Sequence, residues 1–154
     1  MIVTLWRHGE AAWLASDADR PLTEAGRAAL RLRASELVQW LSAQANAQPS
    51  DLLHSPYRRT RETADLIAPL IGSPARDEVA ALAPGCDERG LFSLLDKQPH
   101  LVIVSHQPFI SEMVKYWLDD PRQAFIGPSG YAVLEVSAPC RGGAELLRLD
   151  EGQL

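Results

Sequence analysis

Apolar segments of strand length alternate with helical patterns along this 154-residue chain. The clearest apolar segments are 1–5 and 101–104, and each leads through a polar loop into a segment with helical spacing. Parallel strands need a crossover connection, usually a helix, so this alternation is typical of βαβ units. It predicts a three-layer α/β/α sandwich with a mostly parallel central sheet of about six strands. The chain length predicts a single domain over residues 1–154.

Six segments are predicted as strands, the last two as an antiparallel pair: 1–7, 51–54, 78–82, 101–104, 131–136 and 144–149. Four segments are predicted as helices: 23–45, 55–72, 87–96 and a segment that follows 108. Thr23 is placed to cap the first helix, and Ser55 with Pro56 to open the second. Gly72 is placed to end the second helix.

Composition narrows the class of protein. The chain is 46% hydrophobic and 23% charged, as ordinary globular proteins are, and its net charge of −5 argues against nonspecific nucleic-acid binding. No apolar run is long enough to span a membrane, and the first strand starts at Met1 without a leader, so a cytoplasmic protein is expected. Free thiols are expected at Cys86 and Cys140, with a disulfide as the alternative.

Polar side chains suited to phosphate follow three of the predicted strands. Arg7 and His8 end the first strand, Arg59 lies in the helix after the second, and His106 follows the fourth. Ligands of parallel sheets bind outside the carboxyl ends of the strands, so these groups meet if the strands are neighbours. Guanidinium groups bind phosphate as a fork, and a helix N-terminus adds N–H donors and a positive dipole end. The sequence therefore predicts a site for a phosphate dianion.

Three motifs resemble the histidine phosphatase (phosphoglycerate mutase-like) superfamily, in the expected order and over nearly the whole chain. They are Arg7-His8-Gly9, the segment Ser-Pro-Tyr-Arg-Arg-Thr-Arg-Glu-Thr-Ala at 55–64, and Val-Ser-His at 104–106. The short chain is most similar to the SixA-type phosphohistidine phosphatases, through further matches at 20–23, 82–84 and 129–130.

The resemblance implies a role for each residue that matches the motifs. His8 would be the nucleophile that is transiently phosphorylated, Arg7 and Arg59 would bind the phosphoryl oxygens, and His106 would donate a hydrogen bond to them. Attack requires a neutral His8, and two nearby guanidinium groups disfavour its imidazolium form. A backbone carbonyl is expected to fix the other ring nitrogen. Neither a metal nor another cofactor is expected. Gly9 and Arg20 are further candidates for substrate binding.

The general acid is the weakest part of the match. Many family members carry a glutamate acid after the second helix, whereas here the candidates are Asp87 and Glu88, outside any recognisable acid motif. An alcohol leaving group benefits from a proton donor. A phosphorylated imidazole can take its proton from solvent at the second ring nitrogen. A weak acid therefore favours a phosphohistidine substrate over a sugar phosphate.

The expected function is a phosphohistidine phosphatase that acts on a phosphotransfer protein through a phospho-His8 intermediate. The alternative is a broad-specificity phosphomonoesterase for small molecules on the same site, and a noncatalytic phosphate-binding module is a third possibility. No long insertion is present to act as a lid, and an open cleft suits a folded protein substrate. The phosphohistidine-bearing protein is the expected partner, with no nucleic acid and no membrane, and the chain is expected to be a monomer.

Two other residues carry expectations. His100 follows a proline between predicted elements and is expected on the surface of a loop. Trp13 follows the Arg-His-Gly motif, and it is expected either at the rim of the cleft or in the core.

Overall fold

The computed structural model describes residues 1–45, 47–73, 76–95, 98–123 and 125–153. Its strands are β1 (Ile2–Arg7), β2 (Asp51–His54), β3 (Arg76–Glu78), β4 (His100–Ser105), β5 (Tyr131–Val136) and β6 (Ala144–Asp150). Its α-helices are α1 (Glu24–Ser42), α2 (Arg58–Ile71), α3 (Glu88–Phe92) and α4 (Phe109–Leu118). Short 3-10 turns cover Asp17–Asp19 and Ala80–Leu82.

The strands form one sheet in the order β3-β2-β4-β1-β5-β6. The pairs β1–β4, β4–β2 and β2–β3 are parallel, whereas β1–β5 and β5–β6 are antiparallel. β1 thus lies at the centre of the sheet, with β4 on one side and β5 on the other. This is the mostly parallel, six-stranded α/β architecture that the sequence predicts.

Each face of the sheet is covered by its own apolar core. Leu37 of α1 and Ile67 of α2 pack with Trp6 of β1 on one face. On the opposite face Trp117 of α4 packs with Leu5 of β1. Neighbouring side chains of a strand point to opposite faces, so Leu5 packs against the helix layer on one face and Trp6 against the layer on the other. The result is the predicted three-layer sandwich.

The termini of α1 and α2 agree in part with the sequence pattern. Thr23 caps α1, and its Oγ1 accepts a hydrogen bond from Gly26 N at 2.9 Å. Gly72 ends α2 in the left-handed conformation, with a φ of 73°. The prediction for the start of α2 is wrong, because the helix begins at Arg58 and Tyr57 occupies the cap position. The Ser55 hydroxyl binds other side chains, described below.

Three predicted element boundaries need correction. The segment 78–82 is not one strand: β3 ends at Glu78, and a 3-10 turn then buries Leu82. The predicted helix 87–96 is shorter, since α3 ends at Phe92, and residue 96 lies outside the described part of the chain. The first helix ends at Ser42, before the predicted 45–46.

His100 is fully buried, contrary to the surface position that the sequence suggests. It is the first residue of β4 and pairs with Ile2 of β1. Its Nε2 lies 2.8 Å from Thr4 Oγ1, and its Nδ1 lies 2.7 Å from the Ala47 carbonyl oxygen. Both ring nitrogens therefore have hydrogen-bond partners, which compensate for the loss of hydration when this polar ring is buried.

No α-helix in the described ranges is long and apolar enough to cross a bilayer. Cys86 and Cys140 are both free thiols, as expected.

Candidate active site

The sheet topology brings the predicted phosphate-binding groups to one edge. Arg7 pairs with Ser105 at the ends of β1 and β4, so His8 and His106 follow these two strands at the same level. β2 lies on the other side of β4 and leads into α2, which carries Arg59. The structure therefore brings Arg7, His8, Arg59 and His106 together, although they are spread over a hundred residues of sequence.

His8 is 8% exposed and is held by a hydrogen bond at each ring nitrogen. Its Nδ1 lies 2.7 Å from the Gly9 carbonyl oxygen, which can only accept, so the proton resides on Nδ1. Arg59 Nε donates to His8 Nε2 at 3.2 Å, so Nε2 carries the lone pair. The backbone carbonyl that the sequence argument requires is that of Gly9.

Burial lowers the pKa of His8 to about 3. The bond to Gly9 opposes this shift, while His106, Arg59 and Arg7 add to it. His8 is therefore neutral near pH 7, as expected, but burial is a larger cause than the two guanidinium groups on which the sequence argument relied. A neutral, fixed imidazole with an unprotonated nitrogen has the form that a nucleophile needs.

His106 is held by a hydroxyl that the sequence analysis missed. The ring is 2% exposed, its Nε2 lies 2.6 Å from Ser55 Oγ, and its centroid lies 5.3 Å from that of His8. Ser55 Oγ in turn lies 2.7 Å from Thr60 Oγ1. Burial, with Arg59 next in importance, lowers the pKa of His106 to about 3. Ser55 thus orients the second histidine instead of capping α2.

Two buried nitrogens at this edge have no hydrogen-bond partner in the described structure: His106 Nδ1 and Arg7 Nε. Arg7 uses Nη1 to bind the Ile126 carbonyl oxygen, and its guanidinium lies 5.4 Å from the centroid of the Phe125 ring. Arg7 Nε is always a donor, and a buried donor without a partner costs about 1–3 kcal/mol. A ligand rich in acceptor oxygens would relieve that cost, which marks the site as one for an anion.

Arg59 is 6% exposed, and its guanidinium lies 4.9 Å from the centroid of the Tyr57 ring. Its terminal nitrogens bind Asp17. Nη1 donates to the Asp17 carbonyl oxygen at 2.8 Å and to Oδ1 at 3.4 Å, and Nη2 donates to Oδ2 at 3.3 Å. Arg58 and Arg61, on either side of this part of α2, are exposed.

A cavity of about 390 Å³ lies over these groups. It is lined by Arg7, His8, Glu10, Ala11, Asp17, Arg20, Arg59, Pro84, His106, Gln107 and Pro128. Arg20 thus reaches the site, although its Nε and Nη2 bind the carbonyl oxygens of Ala12 and Ala11. Among the described residues, no group of three or more His, Cys, Asp or Glu side chains is arranged to hold a metal ion.

Gly9 is buried but does not line the cavity. A Cβ at this position would lie 2.7 Å from Leu30 Cδ1 and 3.2 Å from Leu22 Cδ2. The glycine therefore allows the backbone after β1 to pack closely against Leu22 and against Leu30 of α1. Its N–H donates to Thr63 Oγ1 at 3.1 Å. Gly9 therefore supports the site through packing and through its bond to His8.

Asp87 and Glu88 do not line the cavity that contains His8. They line a neighbouring cavity of about 610 Å³, and the Asp87 carboxylate accepts from Gly90 N at 3.0 Å and caps α3. The two carboxylates that do line the His8 cavity are Glu10 and Asp17. Neither residue is singled out by the sequence pattern, although Glu10 directly follows the Arg-His-Gly motif. Glu10 Oε1 accepts from Thr23 Oγ1 at 2.9 Å.

Substitution of Asp87 by Asn and of Glu88 by Gln is expected to leave kcat for the phosphohistidine hydrolysis that the sequence resemblance implies within about threefold of wild type. Neither carboxylate faces His8, and asparagine caps a helix about as well as aspartate. The check is steady-state hydrolysis by each single variant, with thermal unfolding as the control for folding. A loss of a hundredfold or more in a folded variant would make that residue a proton donor.

Two aromatic side chains in the loops on this side of the chain are exposed, and only Phe125 has a described contact with a site residue, Arg7. Trp13 is 81% exposed and Phe125 59% exposed, so Trp13 is not a core residue. The alternative in which it packs into the core is therefore wrong.

Fold, site and relatives agree on the class of protein. Residues 3–80 match the family model described as the histidine phosphatase superfamily (branch 1). Phosphohistidine phosphatase SixA of Escherichia coli (strain K12) is 31% identical over 121 residues, which cover 74% of this chain and 72% of the relative. The chain therefore belongs to the histidine phosphatase superfamily and is a phosphatase, a class of hydrolase.

Solved structures extend the likeness to nearly the whole chain. A structure of the protein histidine phosphatase SixA complexed with tungstate has a TM-score of 0.79 and 25% identity, and covers 97% of this chain and 96% of that one. A mycobacterial glucosyl-3-phosphoglycerate phosphatase has a TM-score of 0.67 and 19% identity, with coverage of 97% and 96%. The second comparison shows a shared fold only. Within the superfamily, the chain is similar to SixA.

Proposed function

We propose that this chain is a phosphohistidine phosphatase that removes the phosphoryl group from a phosphohistidine of a phosphotransfer protein. The likeness to SixA supports this substrate class. The observation that carries the proposal is the neutral His8, whose unprotonated Nε2 accepts a hydrogen bond from Arg59. It lies in a cavity that Arg7 also lines, where Arg7 Nε and His106 Nδ1 have no partner among the described residues.

In the first step His8 Nε2 attacks the phosphorus atom, and the P–N bond to the substrate imidazole breaks. The departing imidazole takes a proton from solvent, so no protein acid is required. His8 Nδ1 keeps its proton throughout and donates it in a hydrogen bond to the Gly9 carbonyl oxygen, which stabilises the phosphorylated ring. In the second step water attacks the phosphorus of phospho-His8, inorganic phosphate leaves, and Nε2 regains its lone pair.

Charge develops on the three nonbridging oxygens during both transfers. Arg7 and Arg59 supply guanidinium donors, and His106 Nδ1 supplies a third donor when it carries the proton. In phosphoryl transfer such positioning and electrostatic stabilisation provide most of the catalysis. To bind the phosphoryl group, Arg59 must release the hydrogen bond from its Nε to His8 Nε2. Ser55 keeps the His106 ring in position through its bond to Nε2.

The proposed partner is a folded protein that presents its phosphohistidine at a surface. The exposed ring of Phe125, which lies against the Arg7 guanidinium, supports contact with a large substrate, and the rim position of Trp13 stays a prediction of the sequence. Monomeric state and cytoplasmic location stay predictions of the sequence.

The substrate class is tested by kcat/KM for a phosphohistidine-bearing phosphotransfer domain, for free phosphohistidine and for an aryl phosphate. We expect the protein substrate to exceed the aryl phosphate by about a hundredfold or more, because only the protein can use contacts outside the cavity. An aryl phosphate hydrolysed as efficiently as the phosphoprotein would favour the broad-specificity phosphomonoesterase instead.

A further inference from the structure

The Asp17 carboxylate occupies the position on Arg59 that suits a phosphoryl group. Its two oxygens lie on the two terminal nitrogens of the guanidinium, Oδ1 at 3.4 Å from Nη1 and Oδ2 at 3.3 Å from Nη2. This is the two-point fork with which arginine binds carboxylates and phosphates alike. Asp17 lines the His8 cavity, so its carboxylate lies within the space that a ligand of the cavity would occupy.

The Nε donor of Arg59 is also in use, and Nη1 donates in addition to the Asp17 carbonyl oxygen at 2.8 Å. Arg59 Nε binds His8 Nε2 at 3.2 Å, so one guanidinium links the reactive nitrogen of His8 to the carboxylate of Asp17. A phosphoryl group that reaches His8 Nε2 must take this place, and Arg59 must exchange its partners. The protein without substrate thus holds an anion of its own at the site.

We propose that Asp17 is a specificity-determining residue, an internal counter-ion of Arg59 that a phosphoryl group must displace before it can react with His8. This inference rests on the proposed function, and it adds a residue that decides which phosphorylated molecules bind well.

Displacement of the carboxylate is feasible because the ion pair is weakly held on the side of Asp17. The Asp17 side chain is 59% exposed, and exposed ion pairs contribute little and are screened by salt. A phosphoryl dianion carries twice the charge of a carboxylate, so Coulomb attraction favours the exchange. Arg20 Nη1 lies 3.2 Å from Asp17 Oδ1, and Arg20 therefore remains as a partner for the displaced carboxylate.

Asp17 is ionised near neutral pH. Burial alone would raise the pKa of its carboxyl group, but hydrogen bonds and charge from Arg20 and Arg59 together lower the pKa below its ordinary value. The competing charge is therefore present under the conditions in which the phosphatase works.

Competition between the Asp17 carboxylate and a phosphoryl group for Arg59 affects different ligands to different extents. Inorganic phosphate and small phosphate esters have only the contacts inside the cavity to offset the displacement. A phosphoprotein also makes contacts outside the cavity, and such remote binding energy can be used to offset the displacement of Asp17. Asp17 therefore weakens the binding of small phosphates, including the product, more than it weakens the binding of the protein substrate.

The test compares Asp17→Asn and Asp17→Ala with Asp19→Asn, which makes the same change of charge in the same 3-10 turn at an exposed position. Binding of inorganic phosphate is measured by calorimetry, and KM is measured for an aryl phosphate and for the phosphoprotein. Both Asp17 variants are expected to bind phosphate about three- to fivefold more tightly, in line with loss of one exposed carboxylate contact. KM for the aryl phosphate falls by a similar factor, KM for the phosphoprotein falls less, and Asp19→Asn stays within about twofold of wild type.

Unchanged or weaker phosphate binding in the Asp17 variants would overturn the proposal, and weaker binding with a lower kcat would make Asp17 a positioning residue for Arg59. Equal tightening in Asp19→Asn would also overturn it, because the effect would then be one of general charge. Phosphate binding needs no turnover, so the test gives its answer even if the chain proves inactive on phosphohistidine.

Discussion

Replacement of His8 by asparagine is expected to lower kcat for phosphohistidine hydrolysis by about four orders of magnitude or more, and to abolish the phosphoenzyme. Asparagine is polar and fits the space, but it has no basic nitrogen in place of the Nε2 that Arg59 contacts at 3.2 Å. The remaining donors can still bind the phosphoryl group, so the loss falls on kcat more than on KM. The measurement is single-turnover transfer from a radiolabelled phosphoprotein, with acid-labile label on the enzyme as the second readout.

The matched control is His100→Asn, the same change at the opposite edge of the sheet, where β4 begins. His100 is fully buried and has partners at both ring nitrogens, so this variant should lose stability while kcat stays close to wild type. His8→Asn should show the reverse. Turnover near the wild-type rate in a folded His8→Asn protein would refute the assignment of His8 as the nucleophile. The chain would then fit a noncatalytic phosphate-binding module better.

Acid provides an independent check on the burial of His8. Its folded-state pKa of about 3 is below the ordinary value of 6.5, so the unfolded chain binds more protons between these values. Stability therefore falls as the pH is lowered from about 6.5 toward 3, and it is retained above that range. His8→Asn removes one such group, so its melting temperature should fall less steeply with acid than that of wild type.

Much of the fold could be predicted because its determinants are local in sequence. Strand-length apolar runs, the Thr23 cap and the Gly72 terminus are each decided by a few neighbouring residues. The carboxyl-edge rule then placed Arg7 and His106 at one site without knowledge of the sheet order. That order, with β1 between β4 and β5, came only from the structure.

Residues whose partners are far away in sequence were the ones missed. Ser55 before a proline is typical of a helix cap, but its hydroxyl binds His106, 51 residues later. Asp17 lies in a polar loop without periodicity, and its importance depends on how that loop folds back onto Arg59, 42 residues away. His100 looked like a loop residue, because its partners Thr4 and Ala47 lie in other segments.

Replacement of Arg59 by alanine is expected to lower kcat/KM for the phosphoprotein by about 10³-fold, or about 4 kcal/mol of transition-state stabilisation at 1.36 kcal/mol per decade. The side chain is 6% exposed, contacts His8 Nε2 and stacks on Tyr57, so it is fixed in place before substrate arrives. Arg59→Lys should recover only part of the loss, because an ammonium group keeps the charge without the planar fork. Steady-state kinetics of both variants, with thermal unfolding measured in parallel, provide the check.

Arg58→Ala is the control that makes this prediction specific. Arg58 precedes Arg59 on α2, carries the same charge, and is exposed, with its Nε bound to Glu62 Oε1 at 3.0 Å. A long-range effect of charge alone would lower kcat/KM by similar factors in Arg58→Ala and Arg59→Ala, and that result would contradict the assignment. If a direct contact with the phosphoryl group is responsible, Arg58→Ala stays within about threefold of wild type, since exposed ion pairs contribute little. Arg58 and Arg59 carry equal charges on the same helix. Only the side chain of Arg59 points into the site, and this orientation then explains why it alone acts on the substrate.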